Sequence, residues 1–219
     1  HDNFLYKYLI NLKLKKCACI ITQSNAMKDI LSKYTDKSIY VISNGVDTSV
    51  FSPDLKSDIC DKYRIKKDEV LVVFVGAFMQ WHGVLDVVKI AKRFPDVKFL
   101  MVGGGPEFEE VSFLAREVSN LILVGPKPKD EIPKFLAVAD IAIAPFSDEK
   151  FKKIEEYGFW WCPVKLFEYM SSGLPVVSYD YTNVKDIVKS GGLLARAGDF
   201  EDFSNKLKKL IINKYLRQT

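Results

Sequence analysis

The chain has 219 residues, of which 48% are apolar and 27% charged, and its formal net charge is +4. This composition is typical of a folded globular protein and argues against a chain dominated by disorder. The lysines and arginines are spread along the sequence instead of gathering in one run, so we predict no nucleic-acid partner.

No apolar run approaches the roughly 18 residues that a membrane span needs, and we predict no transmembrane segment. The four cysteines, Cys17, Cys19, Cys60 and Cys162, form no CxxC pair and no Cys/His cluster with zinc-like spacing. We therefore predict reduced thiols, no metal site and a cytoplasmic protein.

The first 43 residues predict a small βαβ unit after an opening helix. The expected elements are a helix over residues 4–15, a strand at Cys19–Thr22, a helix at Ser24–Tyr34 and a strand at Ile39–Ile42. Asn44-Gly45 then favours a sharp turn, which marks the end of this unit.

The rest of the chain alternates apolar runs with helical patterns. The predicted strands are Val70–Val75, Val97–Val102, Leu121–Val124, Ile141–Ala144 and Pro175–Ser178. The predicted helices are Gly83–Phe94, Pro106–Val118, Asp130–Val138, Val164–Ser171 and Phe200–Ile212. Strands that are apolar on both faces and alternate with helices predict an α/β fold, a Rossmann-like doubly wound parallel sheet.

Three glycine-bearing loops, Gly76–Gly83, Gly103–Pro106 and Gly125–Pro128, follow predicted strands. Ligands of such sheets bind at the carboxyl ends of the strands, and glycine lets backbone N–H groups approach an anion. A phosphate-bearing ligand is one interpretation, and ordinary loop punctuation is the other. A dinucleotide fingerprint is excluded because Phe108 stands where its third glycine belongs.

The segment Cys162–Val177 (CPVKLFEYMSSGLPVV) carries the most specific pattern. Lys165 and Glu168 are three residues apart, so they share one helix face. A cation near a helix N-terminus is unfavourable unless an anion accompanies it, and a phosphate would supply that anion. The alternative is an ordinary salt bridge between the two side chains on a surface helix.

This segment resembles the SPxKLFEYMAxGxPVV signature of family 4 GT-B glycosyltransferases. Further marks of that family follow in its order: Ile42–Asp47 with Phe51-Ser52-Pro53, Phe74-Val75-Gly76 with Trp81-His82-Gly83, Val102–Pro106, Leu123–Gly125, Ala139–Ile141, and Gly191–Leu194 with Gly198-Asp199. The resemblance covers about residues 20–205.

The resemblance implies a retaining glycosyltransferase whose C-terminal Rossmann-like domain holds a nucleoside-diphosphate sugar without a bound metal or other cofactor. Glu168 would bind the ribose hydroxyls, and Lys165 would meet the diphosphate; these two are the predicted catalytic residues. The other predicted donor-binding residues are Gly76, His82, Gly83, Gly103, Gly105, Lys127, Pro163 and Leu166.

The sequence also departs from the family pattern. Ala77 and His82 stand where many relatives have Arg and Lys. The loop therefore keeps a cation only if His82 is protonated; the alternative is that a neutral His82 ring donates a hydrogen bond. Trp160 stands where many relatives carry the first Glu of a Glu-x7-Glu pair. These departures leave open a non-catalytic nucleotide-binding module, or a GT-B phosphorylase or epimerase.

The resemblance also divides the chain. Residues 1–43 would be a remnant of the N-terminal acceptor domain, and residues 44–219 the nucleotide-sugar-binding domain. With most of the acceptor domain missing, we expect this chain to bind donor but to transfer sugar poorly. Contact with a membrane surface through a lipid-linked acceptor is compatible with this interpretation.

Overall fold

The computed structural model describes residues 4–147 and 158–218. Its first part contains α1 (Phe4–Lys16), β1 (Ile20–Thr22), α2 (Asn25–Ser32) and β2 (Ile39–Val41). The strands β1 and β2 pair in parallel, with Ile20 opposite Ile39, and form a two-stranded sheet. Ser24 caps α2, since its hydroxyl oxygen accepts a hydrogen bond from the Met27 amide at 3.1 Å. The predicted βαβ unit is confirmed.

The second part alternates strands and helices around a larger sheet. Its elements are α3 (Ile59–Tyr63), β3 (Leu71–Val75), a 3-10 turn (Gln80–His82), α4 (Val84–Arg93), β4 (Lys98–Val102), α5 (Phe108–Ala115), β5 (Leu121–Gly125), α6 (Ile132–Leu136), β6 (Ile141–Ala144), α7 (Val164–Ser171), β7 (Val176–Tyr179), α8 (Thr182–Val188), β8 (Gly192–Ala195), α9 (Phe200–Ile212) and α10 (Lys214–Gln218).

The six strands of the larger sheet lie in the order β5-β4-β3-β6-β7-β8, and every neighbouring pair is parallel. All residues of β3, β6 and β7 are buried, as expected of central strands covered on both faces. The predicted α/β class with a doubly wound Rossmann-like sheet is confirmed. The order reverses between β3 and β6, and that switch point is where ligands of such sheets bind.

Sequence reasoning placed the last strand at Pro175–Ser178, whereas β8 adds one more strand beyond it. This strand is short and starts in the pair Gly191-Gly192, which looks like a turn. A Cβ on Gly192 would lie 2.1 Å from the Val176 carbonyl oxygen, so glycine here permits close strand packing.

The small sheet contacts the larger one through the segment before α7. The Asn44 side-chain amide donates to the Cys162 carbonyl at 2.7 Å, and the Ser24 hydroxyl donates to the Trp160 carbonyl. Within the described ranges, no helix is long and apolar enough to cross a bilayer.

Candidate functional site

A cleft of about 330 Å³ lies at the carboxyl ends of β3, β4 and β5. Four of the predicted site residues line it together: Gly76, Gly103, Lys127 and Glu168. The structure therefore brings residues from three loops and from α7 to one place beside the switch point, as the sequence predicted.

Lys165 lies directly behind the Gly76 wall of this cleft. A Cβ built on Gly76 would lie 2.5 Å from the Lys165 Nζ. The residue as a whole is partly exposed, but its Nζ is buried and has no hydrogen-bond partner among the described residues. It lies 4.5 Å from the ring centroid of Phe74 and 5.5 Å from that of Phe146, within range of cation–π attraction.

Burial lowers the pKa of Lys165 from 10.5 to about 7, and the nearby Glu168 carboxylate opposes this shift. The simple alternative, a surface salt bridge between these two side chains, is not what the structure contains. The site holds a desolvated amine that is poised to change its charge near neutral pH, and an anion beside it would favour the ammonium form.

Glu168 is one of the residues that line the cleft. Burial raises the pKa of its carboxyl, while Lys129 and then Lys165 oppose that effect. Lys129 also lines the cleft and was missed by the sequence reasoning, which assigned only Lys127 in this loop. The run Lys127-Pro128-Lys129 offered a signal, since it places two cations in the loop that follows β5.

His82 lies outside the lining of the cleft, and the burial of its ring argues against the cationic role. Its Nδ1 lies 2.5 Å from the Ala77 carbonyl oxygen. Burial, then the neighbouring Lys165, lowers the pKa of His82 to about 4, so the ring is neutral at pH 7. Because a carbonyl only accepts, Nδ1 carries the hydrogen in this arrangement. The neutral hydrogen bond is therefore present, but it goes to the loop's own backbone.

The glycines have packing roles that the sequence reasoning did not foresee. Gly76 and Gly103 donate their N–H groups to the carbonyls of Val102 and Gly125, both at 3.0 Å, so these two amides do not point at a phosphate. A Cβ on Gly103 would lie 1.9 Å from the Gly76 carbonyl oxygen.

Gly83 and Gly105 lie beside the cleft rather than in its lining. Gly83 has φ +62°, and a Cβ there would lie 1.8 Å from the Pro145 carbonyl oxygen. A Cβ on Gly105 would lie 2.9 Å from the backbone nitrogen of Phe78. Both positions require glycine so that neighbouring backbone can approach.

Pro163 and Leu166 occupy the start of α7 behind the cleft. Pro163 is the N-cap residue of α7. The Leu166 side chain is fully buried, and its amide donates to the Pro163 carbonyl at 3.3 Å. Leu166 therefore anchors the helix, and its amide is not directed at a ligand.

Residues 148–157, in the segment before α7, lie outside the described residues. Phe159, which follows them, is 4% exposed and stacks on Tyr181 with ring centroids 5.2 Å apart. It belongs to the core. Among the described residues, no cluster of three His, Cys, Asp or Glu side chains has an arrangement that could hold a metal ion.

Comparison with known proteins identifies related chains. The D-inositol 3-phosphate glycosyltransferase of Mycobacteroides abscessus is 26% identical over 186 residues, which cover 80% of this chain and 40% of that protein. Sucrose-phosphate synthase from Thermosynechococcus elongatus superposes with a TM-score of 0.80 at 18% identity, over 98% of this chain and 54% of that one. Anabaena HepE, solved in complex with UDP and glucose, superposes with a TM-score of 0.76 at 19% identity, over 100% of this chain and 60% of that one.

The structural neighbours are GT-B glycosyltransferases, which agrees with the Rossmann-like sheet described above. The chain spans about half the length of the curated relatives that it matches. The sequence model for glycosyl transferases group 1 matches residues 56–219. Since this match covers more than half of the chain, the protein belongs to the group 1 family of glycosyl transferases.

Proposed function

We propose that the cleft beside the switch point is the donor site of a retaining, hexosyl-type glycosyltransferase and binds a nucleoside-diphosphate sugar. The observation that carries this proposal is the buried Lys165 amine behind Gly76, which has no hydrogen-bond partner within residues 4–147 and 158–218. A buried cation without an anion is costly, and natural proteins retain such groups chiefly at functional sites. A diphosphate in the cleft would supply the missing partner.

The same geometry suggests how the leaving group would be stabilised. When the bond between the sugar and the diphosphate breaks, negative charge develops on the diphosphate oxygen. An ammonium held in place by Phe74 and Phe146 needs little reorganisation to meet that charge. Glu168, in the lining of the cleft, would accept hydrogen bonds from the ribose hydroxyls. The complex of HepE with UDP and glucose is consistent with such a ligand for this fold.

We propose that residues 44–219 form the donor-binding domain and that residues 1–43 belong to the acceptor side. The separate two-stranded sheet supports this division. Sugar transfer is then a property of the whole protein, and we expect this chain to bind donor while transferring poorly. The cytoplasmic location and the contact with a lipid-linked acceptor stay predictions.

Calorimetry with UDP, GDP, ADP and their sugar derivatives, with and without EDTA, tests the donor site. Lys165→Ala and Glu168→Ala should each weaken binding by about 10- to 100-fold, since a charge-assisted hydrogen bond contributes roughly 1.5–3 kcal/mol. Lys209→Ala, at an exposed position of α9, is the matched control and should bind as the wild type does.

Two results would contradict the proposal. The first is a folded sample that binds none of these nucleotides. The second is binding that Lys165→Ala leaves unchanged. If nucleotides bind but the whole protein transfers no sugar to any acceptor, the chain is a non-catalytic nucleotide-binding module.

A further inference from the structure

Near the cleft, the central strand β3 is no longer paired with β6, one of its two neighbouring strands. Its pairing with β4 continues to Val75 opposite Val102, whereas its pairing with β6 consists of Val72 with Ile141 and Val73 with Ala142. The two strands therefore separate over the last residues of β3. This gap is the crevice of the switch point, and it leaves the backbone of Val75 without a strand partner on the β6 side.

The Tyr169 hydroxyl fills this vacancy. It accepts a hydrogen bond from the Val75 amide at 2.8 Å and donates one to the Val75 carbonyl at 3.0 Å. Tyr169 is 0% exposed, and burial raises the pKa of its phenol, so the hydroxyl keeps the proton that it donates. One side chain of α7 thus satisfies both backbone groups that β6 would otherwise pair.

The two residues that flank Val75 in the chain, Phe74 and Gly76, lie against Lys165. The Lys165 Nζ lies over the Phe74 ring and against the Gly76 position, on either side of the residue that Tyr169 binds. Lys165 and Tyr169 are four residues apart on α7, so they lie on one face of the helix. The position of Lys165 relative to the cleft wall therefore depends on where the Tyr169 hydroxyl holds α7.

We propose that Tyr169 is a positioning residue: by taking the place of β6 as the partner of Val75, its hydroxyl holds α7 so that the Lys165 amine lies behind Gly76 and Glu168 faces the cleft. The role of these two groups in donor binding rests on the function proposed above. The placement itself does not, because it concerns only α7 and β3.

Tyr169→Phe tests this inference, since it removes both hydrogen bonds and keeps the ring. Ser178→Ala is the matched control: its fully buried hydroxyl donates to the Ala144 carbonyl at 2.7 Å on the far side of β6. Both variants lose a buried hydroxyl that binds backbone, but only the first loosens α7 from β3.

The first readout is the pH titration of the Lys165 side chain by NMR, assigned from the signal lost in Lys165→Gln. In Tyr169→Phe we expect water to reach the amine and the midpoint to rise by about one pH unit or more, while Ser178→Ala titrates as the wild type. An unchanged midpoint in Tyr169→Phe would overturn the inference. If that variant does not fold, 3,5-difluorotyrosine at position 169 keeps the ring and the hydroxyl, and its two ring fluorines make the hydroxyl a weaker hydrogen-bond acceptor for the Val75 amide. A Lys165 midpoint that stays at the wild-type value in that protein would likewise overturn the inference.

The second readout is UDP affinity. We expect Tyr169→Phe to weaken it by about tenfold or more and Ser178→Ala to leave it within about twofold. Equal losses in both variants would mean a purely structural role for Tyr169. If the wild type binds no nucleotide, the proposed donor site fails, and the lysine titration still decides the role of Tyr169.

Discussion

Lys165→Met separates the stability of the fold from the chemistry of the site. The amine is buried without a hydrogen-bond partner in the part of the chain that the structure describes, and it lies between aromatic rings. Methionine keeps a long, unbranched side chain and has no charge to desolvate. We therefore expect the variant to be more stable than the wild type and to lose affinity for nucleoside diphosphates.

The pKa of Lys165 sets the size of the expected difference in the free energy of unfolding between this variant and the wild type. A fall from 10.5 to about 7 corresponds to about 5 kcal/mol at about 1.4 kcal/mol per pKa unit. This is an upper limit, because the cation–π contacts offset about 1–2 kcal/mol and the local structure can relax. We expect Lys165→Met to raise the free energy of unfolding by about 2 kcal/mol at pH 7, in line with other replacements of buried charges by apolar groups.

The sign of the pH dependence follows from linkage. The folded protein holds Lys165 with a pKa below its ordinary value, so the unfolded state binds more protons between about pH 7 and 10.5. Above pH 10.5 Lys165 is neutral in both states and does not lower the free energy of unfolding of the wild type. As the pH falls from 10.5 to about 7, the unfolded state takes up the proton first, and the free energy of unfolding decreases. The advantage of the methionine variant should therefore be largest at about pH 7 and shrink towards 10.5.

Urea unfolding of both proteins, followed by tryptophan fluorescence at about pH 7 and about pH 9, measures this difference. Two outcomes would refute the reasoning. One is a variant that is less stable than the wild type at pH 7. The other is a stability difference that does not change with pH, which would mean that Lys165 titrates normally.

Four further predictions follow from the same contacts. The affinity for UDP should decrease above about pH 7, because binding takes up a proton on Lys165. Calorimetry in buffers of different ionisation enthalpy measures that proton uptake. Binding without proton uptake would contradict the role of Lys165. His82→Gln should leave the pH dependence of UDP affinity unchanged, since the His82 ring is neutral above about pH 4. If the decrease in affinity above about pH 7 disappears in this variant, the titrating group is His82. Gly76→Ala should reduce UDP affinity by about tenfold or more, because its Cβ would meet the Lys165 Nζ, and should also lower the melting temperature, because alanine is strained at φ +149°. Wild-type affinity would disprove the contact. Asn120→Ala should lower the free energy of unfolding by about 2 kcal/mol, since the Asn120 side-chain amide donates to three backbone carbonyls. These contacts are far from the cleft, so UDP affinity should not change. Unaltered stability in urea would count against those hydrogen bonds.

The strands of the larger sheet were predictable where burial alone determines the residue pattern. Central strands such as Leu71–Val75 and Ile141–Ala144 are continuous apolar runs, and the structure places them as expected. The helix Thr182–Val188 was missed, although Val184, Ile187 and Val188 recur at helical spacing. Its sequence begins with Thr and Asn after a tyrosine-rich strand end, which resembles a loop.

The site was predictable in its location and less so in its chemistry. The spacing of Lys165 and Glu168 on one helix face identified one side chain that lines the cleft, Glu168, and one that lies behind its wall, Lys165. The neutral state of His82 was not predictable, because it depends on burial and on the distance to Lys165 across the fold. The role of Tyr169 was hidden for the same reason, since its partner Val75 is 94 residues away in sequence.

The glycines show which physical effect dominates at this cleft. Anion binding by a glycine loop requires free N–H groups, but those of Gly76 and Gly103 are engaged by carbonyls of neighbouring strands. What these glycines provide instead is space: any Cβ at Gly103 would collide with the Gly76 backbone, and any Cβ at Gly76 would displace the Lys165 amine. The loops therefore bring backbone close enough for one buried amine to lie directly behind the cleft wall. Lys165 thus adds a third cation to Lys127 and Lys129, which line the cleft. Its charge changes near pH 7, which is why its charge state should affect both stability and binding.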